Sequence, residues 1–182
     1  MDNFRQPKYS YYMFMSQRPN QENPSLIAES GPMVYIANAM TPFSPADVTI
    51  YSNCDSVTLT YNKGGKVYTY AKAKDKVGMP SPILTFKDVF HVINDKKLPR
   101  QKKQGDSYLL AQGYVDGKLV ASHQVKPTRR PSKIKLWVDN EGTALHADGS
   151  DMVTVVAGIS DDQGNIKRLN NEHVLFTVEG EG

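Results

Sequence analysis

The sequence is poor in the residues that most often carry chemistry. Its one cysteine, Cys54, excludes an intrachain disulfide and a cysteine-only zinc site. A free cysteine usually behaves as a small buried hydrophobe, so core packing is the expected role of Cys54. The four histidines, His91, His123, His146 and His173, are scattered, with no i,i+4 pair of the metal-binding kind. No nucleophile-elbow spacing is present. No stretch approaches the ~20 apolar residues of a membrane helix, and no apolar signal-peptide core follows Met1-Asp2-Asn3-Phe4-Arg5. The segment begins abruptly, and Met1 is not expected to be a natural N-terminus.

What the 182 residues do contain is 39% hydrophobic and 23% charged side chains, enough apolar material for a packed core. The 13 glycines and 11 prolines cluster between short apolar runs, as in a β protein with many turns. The net charge of +3 is unevenly spread. Residues 131–182 hold 4 basic and 9 acidic side chains, net −5, against 18 basic and 10 acidic, net +8, in residues 1–130. That shift marks a boundary near Pro131.

Residues 8–18, with Tyr9, Tyr11, Tyr12, Met13, Phe14 and Met15, predict a short helix that is apolar on most sides and stopped by Pro19 and Pro24. Such a helix needs a partner, and the sequence offers none within the chain. Strands are predicted at 33–37, 47–51, 56–61, 66–71 and 83–86, with a tight turn at Asn62-Lys63-Gly64-Gly65. The clearest hairpin joins residues 108–115 to 118–125 through Asp116-Gly117, a pair that favours the positive φ of hairpin turns. Leu109, Ala111, Gly113 and Val115 share one face of its first strand; Leu119, Ala121, His123 and Val125 share one face of its second. Lys126-Pro127-Thr128-Arg129-Arg130-Pro131-Ser132 reads as a linker. Strands are predicted beyond it at 133–138, 152–159 and 173–178. A complete sandwich uses about seven strands and about 100 residues. The 52 residues of 131–182 therefore predict a truncated one.

Candidate sites are few. A glycosidase needs two carboxylates flanking the scissile bond, but Asp47, Asp116, Asp148, Asp161 and Asp162 all stand in turn contexts, where Asx side chains bind local backbone. Asp148-Gly-Ser-Asp151 and Asp161-Asp162-Gln-Gly-Asn165 lack the EF-hand spacing and read as turns rather than calcium loops. The basic run from Lys96 to Lys103 contains no stacking aromatic and reads as a solvated loop. Tyr61, Tyr68, Tyr70, Tyr108 and Tyr114 fall in strands, where tyrosine is common. Trp137 lies opposite the Ile134/Leu136/Val138 face and is either a sugar platform or an interdomain contact. His123 is expected to be a packed histidine.

Several segments together resemble a known family. Ile50-Tyr51-Ser52-Asn53-Cys54-Asp55-Ser56-Val57-Thr58-Leu59 is similar to the YSNC-x-x-V-x-L strand pair of glycoside hydrolase family two enzymes, of the β-galactosidase and β-glucuronidase type found in gut Bacteroidetes. The turn that follows, residues 62–66, is a loose version of the family's N-G-K turn. Residues 111–122 resemble its A-x-G-Y-x-D-G-K-x-V-A hairpin, and the stretch from Ile134 through residues 145–151 to Asp161 resembles the L-x-A-D-G-x-D opening of its next sandwich. Residues 5–12 resemble the last helix of its catalytic (β/α)₈ barrel. One departure stands out: where relatives carry H-W-N-W, this chain has Asn38-Ala39-Met40-Thr41.

The resemblance implies an all-β chain: a helical remnant and linker over residues 1–31, an immunoglobulin-like β-sandwich over 32–126, a linker at 127–132, and a partial second sandwich over 133–182. It implies a non-catalytic C-terminal region of a periplasmic or extracellular glycosidase. The catalytic glutamates of the family belong to the barrel, so no catalytic, cofactor-binding or metal-binding residue and no cofactor is expected here. The implied partners are the barrel of the same parent chain, met through Tyr11, Tyr12, Phe14 and Met15, and carbohydrate. Self-association through the helix is a further expectation; nucleic acid and membrane are not expected partners. Two other classes fit a sandwich fold, a carbohydrate-binding module and an adhesin-type stalk of tandem sandwiches.

Overall fold

Apolar and polar residues alternate in residues 48–52, 56–61 and 108–113, and the backbone turns that alternation into strands with one buried face. In the computed structural model, which describes residues 7–23, 30–63, 65–73, 78–90, 107–139, 144–146, 148–167 and 170–180, helix α1 (Tyr9–Met15) precedes nine strands. These are β1 (Val34–Ile36), β2 (Val48–Ser52), β3 (Ser56–Lys63), β4 (Lys66–Ala73), β5 (Leu84–Phe86), β6 (Tyr108–Val115), β7 (Lys118–Val125), β8 (Lys133–Asp139) and β9 (Thr154–Ser160). The chain divides into two compact units, Met1–Pro127 and Thr128–Gly182.

The first unit is a sandwich of a three-stranded sheet, β1-β2-β5, and a four-stranded sheet, β4-β3-β6-β7, all antiparallel. Seven strands in two layers is the immunoglobulin-like plan. Ile36, Val48, Ile50, Leu59, Leu84 and Leu109 are no more than 1% exposed and form the centre of the core. Burying each such side chain contributes about 1.5–3 kcal/mol, which makes this core the main stabilising element of the chain. The β6–β7 turn takes the positive φ expected of it at both Asp116 (50°) and Gly117 (73°).

The chain passes from one sheet to the other at Asn53–Asp55, and Gly113 on β6 lies against this crossing. A Cβ on Gly113 would stand 2.5 Å from the Cys54 sulfur and 3.2 Å from its Cβ. The pairing of β6 with β7 also shifts register between Gly113 and Tyr114. Glycine is thus required here by close approach. Cys54 is fully buried, as expected.

The second unit has one two-stranded antiparallel sheet, β8-β9. Ile134, Leu136, Val138 and Val155 lie on one face of it and are each at least 50% exposed. The strand expected at residues 173–178 does not form: residues 170–179 have no regular secondary structure. Period-two patterning supplies a face to bury but no hydrogen-bond partner, and among the described residues no strand edge pairs with this segment.

The helix is shorter than the predicted 8–18, because Ser16 Oγ turns back to donate to the Met13 carbonyl at 2.7 Å. Gln17 instead reaches the β4–β5 connection: its side chain donates to the Ser81 carbonyl at 2.8 Å and accepts from the Ser81 N–H at 3.1 Å. The basic run at 96–103 and His91 lie outside the described residues.

Two predictions follow from this packing. Amides of β8 and β9 should exchange with solvent about a hundredfold or more faster than those of β3 and β6, which are central to a sheet with a buried face. Equal protection by hydrogen-exchange mass spectrometry would contradict this. Gly113→Ala should destabilise the first unit by about 1–3 kcal/mol through overpacking, and adding Cys54→Ala should recover most of that loss in a denaturant titration.

Candidate functional site

Asn53 and Ser52 are heavily used polar side chains of the first unit. Asn53, 2% exposed, accepts from the Met33 N–H at 2.7 Å and donates to the carbonyls of Gly31 (2.9 Å), Arg18 (3.2 Å) and Pro19 (3.4 Å). Ser52 Oγ donates to the Met33 carbonyl at 2.8 Å and accepts from the Cys54 N–H at 3.0 Å. The Tyr-Ser-Asn-Cys segment is therefore a polar clip that fastens the end of the helical segment, the approach to β1 and the sheet crossing at one point. The sequence alone assigns Asn53 no role. An asparagine at the end of an alternating strand was the available signal.

The clip places α1 against β1. The Tyr12 ring stacks on Tyr35 with centroids 3.5 Å apart and planes 7° from parallel; Tyr35 in turn stacks on His123 at 4.4 Å. Tyr9 meets Tyr35 edge-on at 6.2 Å, and Tyr11 meets Tyr12 edge-on at 5.2 Å. The expectation of a helix without a partner in this chain is corrected here, because Tyr12 docks on the first sandwich. Phe14 points away and is 68% exposed. His123 is packed, as expected of it. Its Nδ1 accepts from the Ile36 N–H at 3.1 Å, and burial pushes its pKa below the usual histidine value.

The remaining candidates do not converge. His146 is exposed beside Asp151 at 3.5 Å, and His173 is exposed. Tyr61 is in the core, Tyr68 is exposed, and Tyr70, Tyr108 and Tyr114 are half-buried. Trp137 packs over Gly158, where an added Cβ would lie 2.9 Å from the ring, and Lys135 Nζ stands 6.0 Å from the ring centroid. At the place of the family's H-W-N-W, Asn38 is buried, accepting from the Met40 N–H and donating to the Pro45 carbonyl. Phe43 projects from that loop, 96% exposed. Among the described residues no group of three or more His, Cys, Asp or Glu side chains is placed to hold a metal ion.

The turn carboxylates of Asp47, Asp148 and Asp161 are spent on local structure. Asp47 accepts from Lys87 Nζ and the Asp88 N–H, and these bonds hold its pKa below the usual carboxylate value. Asp148 caps its own turn through the Ser150 hydroxyl and N–H, which lower its pKa likewise. Asp161 is the hub of the second unit. One of its oxygens accepts from Arg129 N–H (2.8 Å), Asn165 Nδ2 (3.0 Å) and Lys167 Nζ (3.0 Å), the other from the N–H groups of Gln163 (3.0 Å) and Asn165 (2.9 Å). Burial pushes this carboxyl up, but the five donors outweigh it and hold it far below the usual range. The Lys167 ammonium supplies the positive charge beside this carboxylate.

Asp161→Asn puts an amide donor among groups that are all donors. It should cost the second unit about 2–4 kcal/mol. Trp137, the sole tryptophan, lies in β8, so its fluorescence follows this unit. The native carboxylate contributes stability that is full above its unfolded pKa of about 3.9 and is lost as pH falls through the lower folded value. The Trp137 acid transition should therefore move to higher pH in the variant. An unchanged transition would show that the hub does not hold the unit together.

No protein-family model matches the sequence. Curated relatives do. The chain is 30% identical over 185 residues to a β-galactosidase of Thermoanaerobacter pseudethanolicus, covering 100% of this chain and 23% of that protein. It is 25% identical over 182 residues to a β-galactosidase of Thermoanaerobacterium thermosulfurigenes, covering 99% of this chain and 24% of that protein. The chain thus spans about a quarter of the length of these relatives. Among solved structures, a β-glycosidase from Bacteroides vulgatus has the same fold over 88% of this chain and 17% of its own, with a TM-score of 0.55 and 19% identity. A β-glucuronidase from glycoside hydrolase family 2 matches 89% of this chain and 14% of its own, with a TM-score of 0.53 and 22% identity. The chain is thus similar along its whole length to part of these β-galactosidases and has the fold of part of these glycosidases, in keeping with the resemblance of its segments to glycoside hydrolase family two.

Proposed function

We propose that this region is non-catalytic: a β-sandwich support that lies C-terminal to the catalytic barrel of a β-galactosidase-type enzyme and helps to wall the substrate cleft. The observation that carries this reading is that the whole chain corresponds to only 23% of a β-galactosidase, while four of its turn carboxylates are engaged in local bonds. Asp47 is paired with Lys87, Asp162 with Arg129, Asp161 with Lys167, and Asp148 with Ser150. A glycosidase pair must instead face one substrate from about 5–9.5 Å apart with its carboxyls free to transfer protons. The exposed face of α1 around Phe14 is the surface offered to the barrel. Carbohydrate is met at the cleft wall, where the exposed Phe43 offers an aromatic face. A periplasmic or extracellular site for the parent enzyme is part of the same reading.

The purified chain, assayed against aryl galactosides, glucuronides and mannosides, should release no more aglycone than the blank. Turnover abolished by a single Asp or Glu substitution in this chain would overturn the proposal.

A further inference from the structure

β1 is an edge strand, and one side chain closes its free edge. The Ala37 N–H donates across to the Thr49 carbonyl of β2 at 2.8 Å. By the alternation of an antiparallel ladder, the Tyr35 and Ala37 amides face β2 and the Ile36 N–H points to the opposite edge. There it meets Nδ1 of His123, from β7 in the other sheet, at 3.1 Å. Ile36 is 1% exposed, so its N–H has little access to water. The same imidazole lies against Tyr35, and Tyr35 carries Tyr12 of α1.

We propose that His123 is an acid-sensitive latch: as a neutral imidazole accepting from Ile36 it fixes the edge of β1 and, through the Tyr35 ring, the seat of helix α1, and its protonation releases both. The chemistry is that of the ring nitrogens. An acceptor at Nδ1 places the proton on Nε2; a second proton must go to Nδ1, where it confronts the Ile36 N–H. Donor then faces donor, and a buried backbone N–H loses the acceptor it has among the described residues. The groups that face the ring are Tyr35 from β1, with Tyr12 and Tyr9 of α1 beyond it, and Ala111 opposite on β6. The tyrosine face would favour a cation, but no hydrogen bond or ion pair joins the ring to a carboxylate among the described residues, and burial opposes the charge. The sign follows: the stabilisation is full above the unfolded histidine pKa of about 6.5 and declines as pH falls below it toward the lower folded value.

The test is amide exchange of Ile36 in the full chain from pH 7.5 to 5, corrected for intrinsic exchange, with near-UV circular dichroism of the tyrosines followed in parallel. Protection of Ile36 should fall by up to about tenfold per pH unit below 6.5, the limit for one proton, and the tyrosine signal should weaken with it. His123→Gln keeps an acceptor oxygen without a titrating group, and its protection should be flat with pH. His123→Phe keeps the stack without the acceptor and should be poorly protected at every pH. Nitrogen chemical shifts of His123 in the wild-type chain give an independent reading that needs no variant: a neutral ring with the proton on Nε2 at pH 7.5 supports the latch, and a proton on Nδ1 overturns it. Wild-type protection that does not change with pH, or a His123→Gln chain that follows the wild-type profile, also overturns it.

Discussion

A sandwich must carry its chain from one sheet to the other without stranding backbone polar groups at the crossing. In this protein the Asn53 side chain meets that demand. Residues 53–55 join β2 of one sheet to β3 of the other, and the amide satisfies Met33, Gly31, Arg18 and Pro19 at once. Ser52 closes the remaining Met33 carbonyl and the Cys54 N–H. Leaving even one such buried group unmade costs about 1–3 kcal/mol. Much else depends on this point. Cys54 is turned inward against Gly113, which fixes how closely β6 approaches. The chain after α1 is tied down through Arg18 and Pro19, which brings Tyr12 over Tyr35. The β1 edge that results is the one His123 caps.

How much of this was legible in the sequence depends on the length scale of the cause. Where the cause is local, the reading was close. Alternation in residues 48–52, 56–61 and 108–113 gave strands with the expected buried faces, and Asp116-Gly117 gave its turn. Where the cause lies at a distance, the reading fell short. Just past the helix end, Gln17 is drawn to Ser81, 64 residues away, a contact that spacing along the chain does not reveal. The partner of that helix was invisible because Tyr35 and His123, 88 positions apart in the chain, come together only through β1 and β7. Residues 173–178 have the alternation of a strand but not its ladder. The Asp161 turn was recognised, whereas its five donors, drawn from Arg129 through Lys167, could not have been read from the spacing alone.

The two units are held together by different physics. The first rests on apolar area: its core residues all lie between Val34 and Ala111. The second leaves the apolar face of β8 and β9 largely open and gathers its order around one buried carboxylate. A polar hub of that kind is geometrically specific but vulnerable, since its favourable terms exist only while the carboxylate is ionised and every donor is in place. The stretch from Arg129 to Ser132 belongs to this arrangement through the Arg129–Asp161 and Ser132–Ser160 bonds.

The segments by which the sequence resembles family two have a common property once they are placed in the fold. The Tyr-Ser-Asn-Cys run is the clip and the sheet crossing. The hairpin around Gly113 and Asp116-Gly117 supplies a close approach and a turn that only particular residues allow. The Gly158–Asp161 run ends on the hub of the second unit. Each is demanded by packing, by positive φ or by buried hydrogen bonding, and none presents free acid–base groups to a common cleft among the described residues. Family resemblance carried by architecture rather than by reacting groups is what a supporting region would show, since substitutions there break the fold before they touch chemistry. The geometry that holds the helix and the sheets of the first unit in place thus resides in these segments.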